Sequence, residues 1–145
     1  EALQEIPTTD VACALVWHQS WICAGFKREY NLYSDGAGLP REICALDGKT
    51  TPRIALVTDS ELMLMIQEGV GFFFSLTTQQ PASKSTVTWP WKVVALGATS
   101  AYVLGSNGTG QVDVFSVRDQ RACQTLVSEC SSCAICSCLD GGAIV

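Results

Sequence analysis

Trp21-Ile22-Cys23-Ala24-Gly25-Phe26-Lys27-Arg28-Glu29-Tyr30-Asn31-Leu32-Tyr33-Ser34 reads as two short apolar and aromatic runs on either side of a charged break, the pattern of a β-hairpin. Its ends recur twice at an interval of 41 residues. Tyr33-Ser34 is matched by Phe74-Ser75 and Phe115-Ser116, Leu32 by Phe73 and Val114, and Trp21-Ile22 by Leu62-Met63 and Val103-Leu104. Only Ser34, Ser75 and Ser116 are identical in all three copies. Repeats of roughly 40 residues belong to β-propeller blades and β-trefoil units, because each unit has an apolar face that only its neighbours can cover. Such folds usually serve as platforms for binding.

Working outward, each copy predicts a meander. In the first unit the strands are Cys13 to Trp17, Trp21 to Gly25 and Glu29 to Tyr33; in the second, Ile54 to Val57, Glu61 to Ile66 and Val70 to Leu76. The third has Val93 to Leu96, Ala101 to Gly105 and Gln111 to Val117, with Ser106-Asn107-Gly108-Thr109-Gly110 as a tight turn, since Asn-Gly supplies the positive φ values such turns need. The Gly-, Pro- and Ser-rich stretches Asp35 to Pro52 and Thr77 to Pro90 each have room for an outer strand. Ile43 to Leu46 and Ser85 to Trp89 are the candidates. Ser60 to Glu68 has some helical character, but its place in the repeat predicts a strand.

Of the 145 residues 48% are hydrophobic and 16% charged, and a compact chain of this length buries about 70% of its unfolded surface. The net charge of −5 and pI near 4.7 exclude a nucleic-acid binder, whose phosphate contacts need clustered Lys and Arg. The longest apolar run, Val70 to Leu76, is interrupted by Gly71 and Ser75 and is far below the roughly 20 residues of a spanning helix. Glu1 to Glu5 has neither an initiator Met nor a signal-peptide pattern, and Asp140 to Val145 reads as a turn entering a strand. Both predict a piece of a longer chain.

Eight cysteines, five of them at Cys123, Cys130, Cys133, Cys136 and Cys138, and an Asn107-Gly108-Thr109 sequon would suit a secreted, disulfide-bonded protein. Against that, Cys13, Cys23 and Cys44 sit in apolar runs as small hydrophobes, so reduced thiols are expected. The Cys130 to Cys138 tail has enough thiols for zinc, but its spacing crowds all four ligands onto one stretch; no metal or other cofactor is expected. The single histidine, His18, is expected at a turn, without an orienting acid or a Gly-x-Ser-x-Gly elbow. Asp59, Glu61, Glu68 and Asp113 are expected as solvated charges at turns or strand edges. No catalytic residue is predicted. Lys27, Arg28 and Glu29 form the only compact charged cluster beside aromatics, at the tip of the first hairpin, and are the candidate partner-binding residues.

The run Trp21 to Tyr33 also resembles the "ICxGFxxEYxLx" hairpin of citron-homology (CNH) domains. Pro52-Arg53-Ile54, Thr86 to Trp91, Ala101 to Leu104, Val112 to Val117 and Gln124-Thr125-Leu126 follow in that family's order, and the resemblance extends over Val11 to Val145. The nearest resemblance is to the CNH domains of the CORVET and HOPS vesicle-tethering subunits. It implies a WD-repeat-like β-propeller at the N-terminus of a longer chain that continues as an α-solenoid. It further implies a non-catalytic module, cytoplasmic and peripheral on endosomal or lysosomal membranes, that acts in vesicle trafficking and fusion with Rab GTPases and other tethering subunits. Within the same resemblance lies the regulatory CNH domain of a Rho exchange factor or kinase. The expected fold is therefore all-β, with about three four-stranded antiparallel blades of an incomplete propeller and no internal domain boundary over residues 1 to 145. A secreted, disulfide-rich β-trefoil lectin is the alternative, though Trp17, Trp21, Trp89 and Trp91 do not recur at the repeat interval.

Overall fold

The structure, a computed structural model, describes residues 5–8, 10–34, 39–129, 135–137 and 143–144. Its first sheet is built from β1 (Ala14–His18), β2 (Trp21–Gly25), β3 (Glu29–Ser34) and β4 (Arg41–Ala45), hydrogen-bonded in chain order. The second comprises β5 (Ile54–Thr58), β6 (Glu61–Gln67) and β7 (Val70–Ser75), with the short β8 (Gln80–Pro81) and β9 (Val87–Thr88) both paired to β7. The third contains β10 (Ala95–Ala98), β11 (Tyr102–Ser106), β12 (Gln111–Ser116) and β13 (Ala122–Val127). A last hairpin joins β14 (Cys136–Ser137) to β15 (Ala143–Ile144). All pairs are antiparallel. Separate antiparallel sheets of four strands, five where the outer strand of the second is split, are blades, and they rule out the trefoil.

The first strands of successive sheets lie side by side, β1 against β5, β5 against β10 and β10 against β14, so they form the inner edge of the arrangement. The strand starts keep the sequence interval: β5, β10 and β14 begin at Ile54, Ala95 and Cys136, and β6, β11 and β15 at Glu61, Tyr102 and Ala143. The final hairpin thus occupies the opening position of a fourth unit. Hydrogen bonds repeat as well, the Leu76 N–H donating to Ser60 O at 2.8 Å and the Val117 N–H to Ala101 O at 2.9 Å. Ser75 and Ser116 recur because each ends a strand and its Oγ accepts a backbone N–H of the following turn, from Thr78 and Arg118, both at 3.2 Å.

The blades stack through alternating faces. Cys23 and Leu32 of blade 1 pack on Leu62, Leu64, Phe74 and Leu76 of blade 2. The opposite face of blade 2, with Met63, Met65 and Phe73, packs on Val103, Phe115 and Val117 of blade 3 around Val87 and Trp89. On the far side of blade 3, Leu104, Val112 and Val114 pack with Ile135. Blade 1 has a second apolar face too, where Trp17, Ile22 and Tyr33 form one cross-strand row and Leu15 and Ala24 belong to the next. There Ile22, Ala24, Phe26 and Tyr33 cluster together, while Leu15 and Trp17 are 60% and 72% exposed.

This face assignment corrects the sequence alignment in blade 1. Ile22 pairs with Tyr33 as Leu62 does with Phe74 and Val103 with Phe115. Ile22, not Trp21, is therefore the equivalent of Leu62 and Val103. The span from Ile22 to Tyr33 is one residue shorter than in the other blades, which have a bulge between Met65 and Gln67 or a longer turn at Asn107. One residue flips every side chain to the other face, and Trp21 accordingly packs toward blade 2. With each buried Leu or Phe contributing about 1.5–3 kcal/mol, the inter-blade packing fixes the register.

Two strands also depart from expectation. The outer strand of blade 2, expected over Ser85 to Trp89, is split into β8 and β9: the Ala82 N–H still donates to Phe73 O at 2.8 Å, and residues 83–86 then leave the ladder before Val87 pairs with Gly71. In blade 3 the first strand begins at Ala95 instead of Val93, since the Val93 N–H is taken by Glu68 O at 2.7 Å. The segment at Ser60 is strand β6, as the repeat predicts.

Candidate protein-interaction surface

Each blade has two ends, and side chains there are the ones free to meet a partner. At the end formed by the turns between second and third strands, Lys27 and Arg28 project from the β2–β3 turn and are exposed. That turn is pinned from both sides: the Phe26 N–H donates to Glu29 O at 2.8 Å and the Leu46 N–H to Arg28 O at 2.6 Å. The stem of Arg28 lies over Gly48, whose φ of 78° turns the connection leading to blade 2. Asp47 Oδ1 shapes the same connection by accepting the Lys49 and Thr50 N–H groups, both at 2.8 Å, and these bonds hold its carboxyl below the usual range. The exposed Lys49 follows directly, so the basic pair is part of a larger cationic end that the sequence did not bring together. Glu29 belongs to it less fully, because it is half-buried and its Oε1 accepts from Asn31 Nδ2 at 2.8 Å.

The other end carries the turns between first and second strands. His18 closes β1, its Nε2 3.3 Å from Asp59 Oδ1 of blade 2 but buried without an aligned hydrogen bond. Gln79 and Gln120, 41 residues apart, both adopt positive φ, at 53° and 57°. Each presents Oε1 to the preceding blade, accepting Arg41 Nη1 at 2.8 Å and the Ser85 N–H at 3.3 Å. This repeated clasp was visible in the sequence only as a matched Gln. Lys84 Nζ bonds both oxygens of Glu61, at 2.8 and 2.6 Å, and lies 4.8 Å from the centroid of the Phe73 ring.

Glu61 and Asp113 are corrections to the expectation of solvated charge. Glu61 is mostly buried by its pairing with Lys84, and Asp113 is buried within β12, accepting from Gln111 Nε2 at 3.1 Å and Thr125 Oγ1 at 2.8 Å. Asp59 and Glu68 are exposed, as expected. Among the described residues no group of His, Cys, Asp and Glu is arranged to hold a metal ion. Cys13, Cys23, Cys44 and Cys123 carry free thiols; Cys23 is buried, Cys44 half-buried and Cys13, contrary to expectation, exposed. The side chains of the other four cysteines lie outside the described residues.

No family model and no curated protein matches the chain. Among solved structures it is similar to the computationally designed Ika4 protein, with 12% identity and a TM-score of 0.69 over 95% of this chain and 91% of that one. The WD40 repeats of RRP9 match at 16% identity and a TM-score of 0.66, over 90% of this chain and 43% of theirs. The AfRom2 CNH domain matches at 13% and 0.58, over 80% and 40%. The chain therefore spans about two-fifths of the CNH and WD40 structures it matches. Its class is that of the β-propeller-like folds, an architecture it shares with CNH and WD40 domains, which are in general non-catalytic interaction domains.

Proposed function

We propose that this chain is the propeller part of a non-catalytic interaction module in an endosomal or lysosomal tethering subunit, acting in vesicle trafficking with Rab GTPases and partner subunits. The blade architecture supports the general reading. The ordered motif series from Trp21 to Leu126 supports the particular one, with its nearest resemblance to the TGF-β-receptor-associated protein. The observation that carries a docking role is the pinned turn that holds Lys27 and Arg28 outward beside Lys49. A GTPase or partner subunit with an acidic patch would meet this end, electrostatics steering the encounter more than setting its strength. The apolar face with Leu15 and Trp17 is a seat for a further blade, consistent with part of a larger propeller in a longer, cytoplasmic chain that reaches membranes through its partners. No cofactor enters this reading.

Pull-downs with the full-length protein against early- and late-endosomal Rab GTPases and the core tethering subunits test it. Retention of at least one, weakened by Lys27→Glu with Arg28→Glu, is the expected result; retention of none removes the tethering role. A kinase or exchange-factor domain elsewhere in the full-length chain would instead favour the Rho-regulatory reading.

A further inference from the structure

We propose that the depression between blades 2 and 3 is a pocket for an acidic side chain, an Asp or Glu in an extended segment of a partner protein, with Arg118 as its charge partner and Tyr102 as its wall. The pocket is open to solvent, has a volume of about 320 Å³ and is lined by Lys84, Tyr102, Ser116 and Arg118 together with Ser100, Ala101 and Val117, with no carboxylate in the lining. It lies at the end of the blades away from Lys27 and Arg28. The inference rests on the chain being an interaction module, but not on the identity of its parent complex.

Its charge is what selects the ligand. Lys84 is matched by Glu61 behind it, whereas Arg118 has no ion pair among the described residues. The neighbouring carboxylate of Asp119 turns to the backbone, accepting the Arg121 N–H at 3.3 Å, and its bond to Ser116 holds it below the usual carboxylate range. An incoming cation would be repelled by Arg118, and a neutral apolar group would strip water from its guanidinium without return. A carboxylate takes up the guanidinium fork with charge-assisted hydrogen bonds. Arg and Tyr are also the side chains that most often dominate binding energy at interfaces, and Tyr102 is 46% exposed with its ring in the pocket wall.

The turn that carries Arg118 is already built. The Arg118 N–H donates to Ser116 Oγ at 3.2 Å, the Gln120 N–H to Ser116 O at 2.9 Å, Gln120 Nε2 to Val117 O at 2.7 Å, and Gln120 Oε1 accepts the Ser85 N–H. A partner then orders little on binding, which is how preorganised sites gain affinity. The repeat separates scaffold from ligand chemistry. Ser116 and Val117 stand where blade 2 has Ser75 and Leu76, but Tyr102 and Arg118 stand where it has Glu61 and Thr77. The two residues that make the pocket receptive to an anion are therefore not ones the blade geometry demands.

Selection of a displayed random twelve-residue peptide library on the full-length protein, followed by calorimetry with the selected peptides, tests the proposal. Selected peptides are expected to share an Asp or Glu, and changing that acid to its amide, or Arg118→Glu in the protein, is expected to weaken binding about tenfold to a hundredfold. Tyr102→Ala should weaken binding as well, and Lys27→Glu with Arg28→Glu should leave it unchanged. Circular dichroism of each variant checks that the fold is kept. Peptides without a shared acid, binding indifferent to Arg118→Glu, or no selected peptide at all would each overturn the pocket. None of these outcomes bears on whether Rab GTPases or tethering subunits are retained in the pull-downs.

Discussion

Tyr30 is wholly buried in blade 1, yet the hydrogen bonds of its hydroxyl cross to blade 2. The hydroxyl accepts the Arg53 N–H at 2.9 Å and donates to Met65 O at 2.7 Å. Arg53 carries the link onward, its Nε donating to Val93 O of the segment entering blade 3 at 3.0 Å. Tyr30→Phe would keep the packing and orphan two backbone groups, so we expect a loss of about 1–3 kcal/mol in urea unfolding; an unchanged midpoint would mean that the bonds do not form. Cys23 reports burial differently. Desolvation, with Cys44 adding to it, pushes its thiol up to about 12 from 9.0. The folded chain holds that proton more tightly than the unfolded one, so stability is full below about pH 9 and falls as pH rises toward 12, by up to about 1.4 kcal/mol per pH unit from Cys23. Urea midpoints should show this decline, and Cys23→Ala should make it shallower.

At the scale of the strands, glycines set how closely blades and loops approach. A Cβ at Gly105 of β11 would lie 2.5 Å from Trp89 Nε1, within the ring edge of a side chain that is 2% exposed. At Gly71 of β7 it would lie 2.6 Å from Met63 Sδ, a thioether that can turn aside. Gly105→Ala is therefore expected to cost about 1–3 kcal/mol as overpacking, and Gly71→Ala clearly less. Thermal unfolding of the two variants checks the order, and a reversed order would show that the Trp89 contact yields more easily than the thioether.

Across the whole molecule, the two ends of the blades are expected to be independent in stability. Lys27 and Arg28 make no ion pair among the described residues, the hydrogen bonds that hold their turn come from its backbone, and only the stem of Arg28 touches a neighbouring loop, at Gly48. Reversing both to Glu should shift the unfolding free energy by less than about 0.5 kcal/mol while reducing retention of a specific partner. Loss of stability well beyond that would assign the pair to folding instead of docking. Because Arg118 lies at the opposite end, the double variant and the Arg118 variant should affect different partners and combine additively.

The sequence by itself determined the all-β class, the three units and most strand positions. These depend on local alternation of apolar and polar residues, on turn chemistry such as Asn107-Gly108, and on an interval that survives wherever each unit must cover its neighbour. It also placed Lys27 and Arg28 at an exposed tip, because a charged break between apolar runs is a local signal. The tertiary structure alone decided which face each residue takes: the one-residue shorter span of blade 1 is invisible until Ile22 is seen opposite Tyr33. It alone brought Tyr30 to Arg53 and Met65, Arg53 to Val93, Lys84 to Glu61, and Tyr102 to Arg118. Most of these pairs join residues more than twenty apart, with no local pattern linking their partners; Glu61 looked solvated because Lys84 is remote in sequence, and Asp113 because its burial and its bond from Thr125 arise only when β12 pairs with β13. The repeat prescribes which surfaces must pack, whereas the polar contacts between blades, the Gln79 and Gln120 clasps apart, depend on side chains that the repeat leaves free.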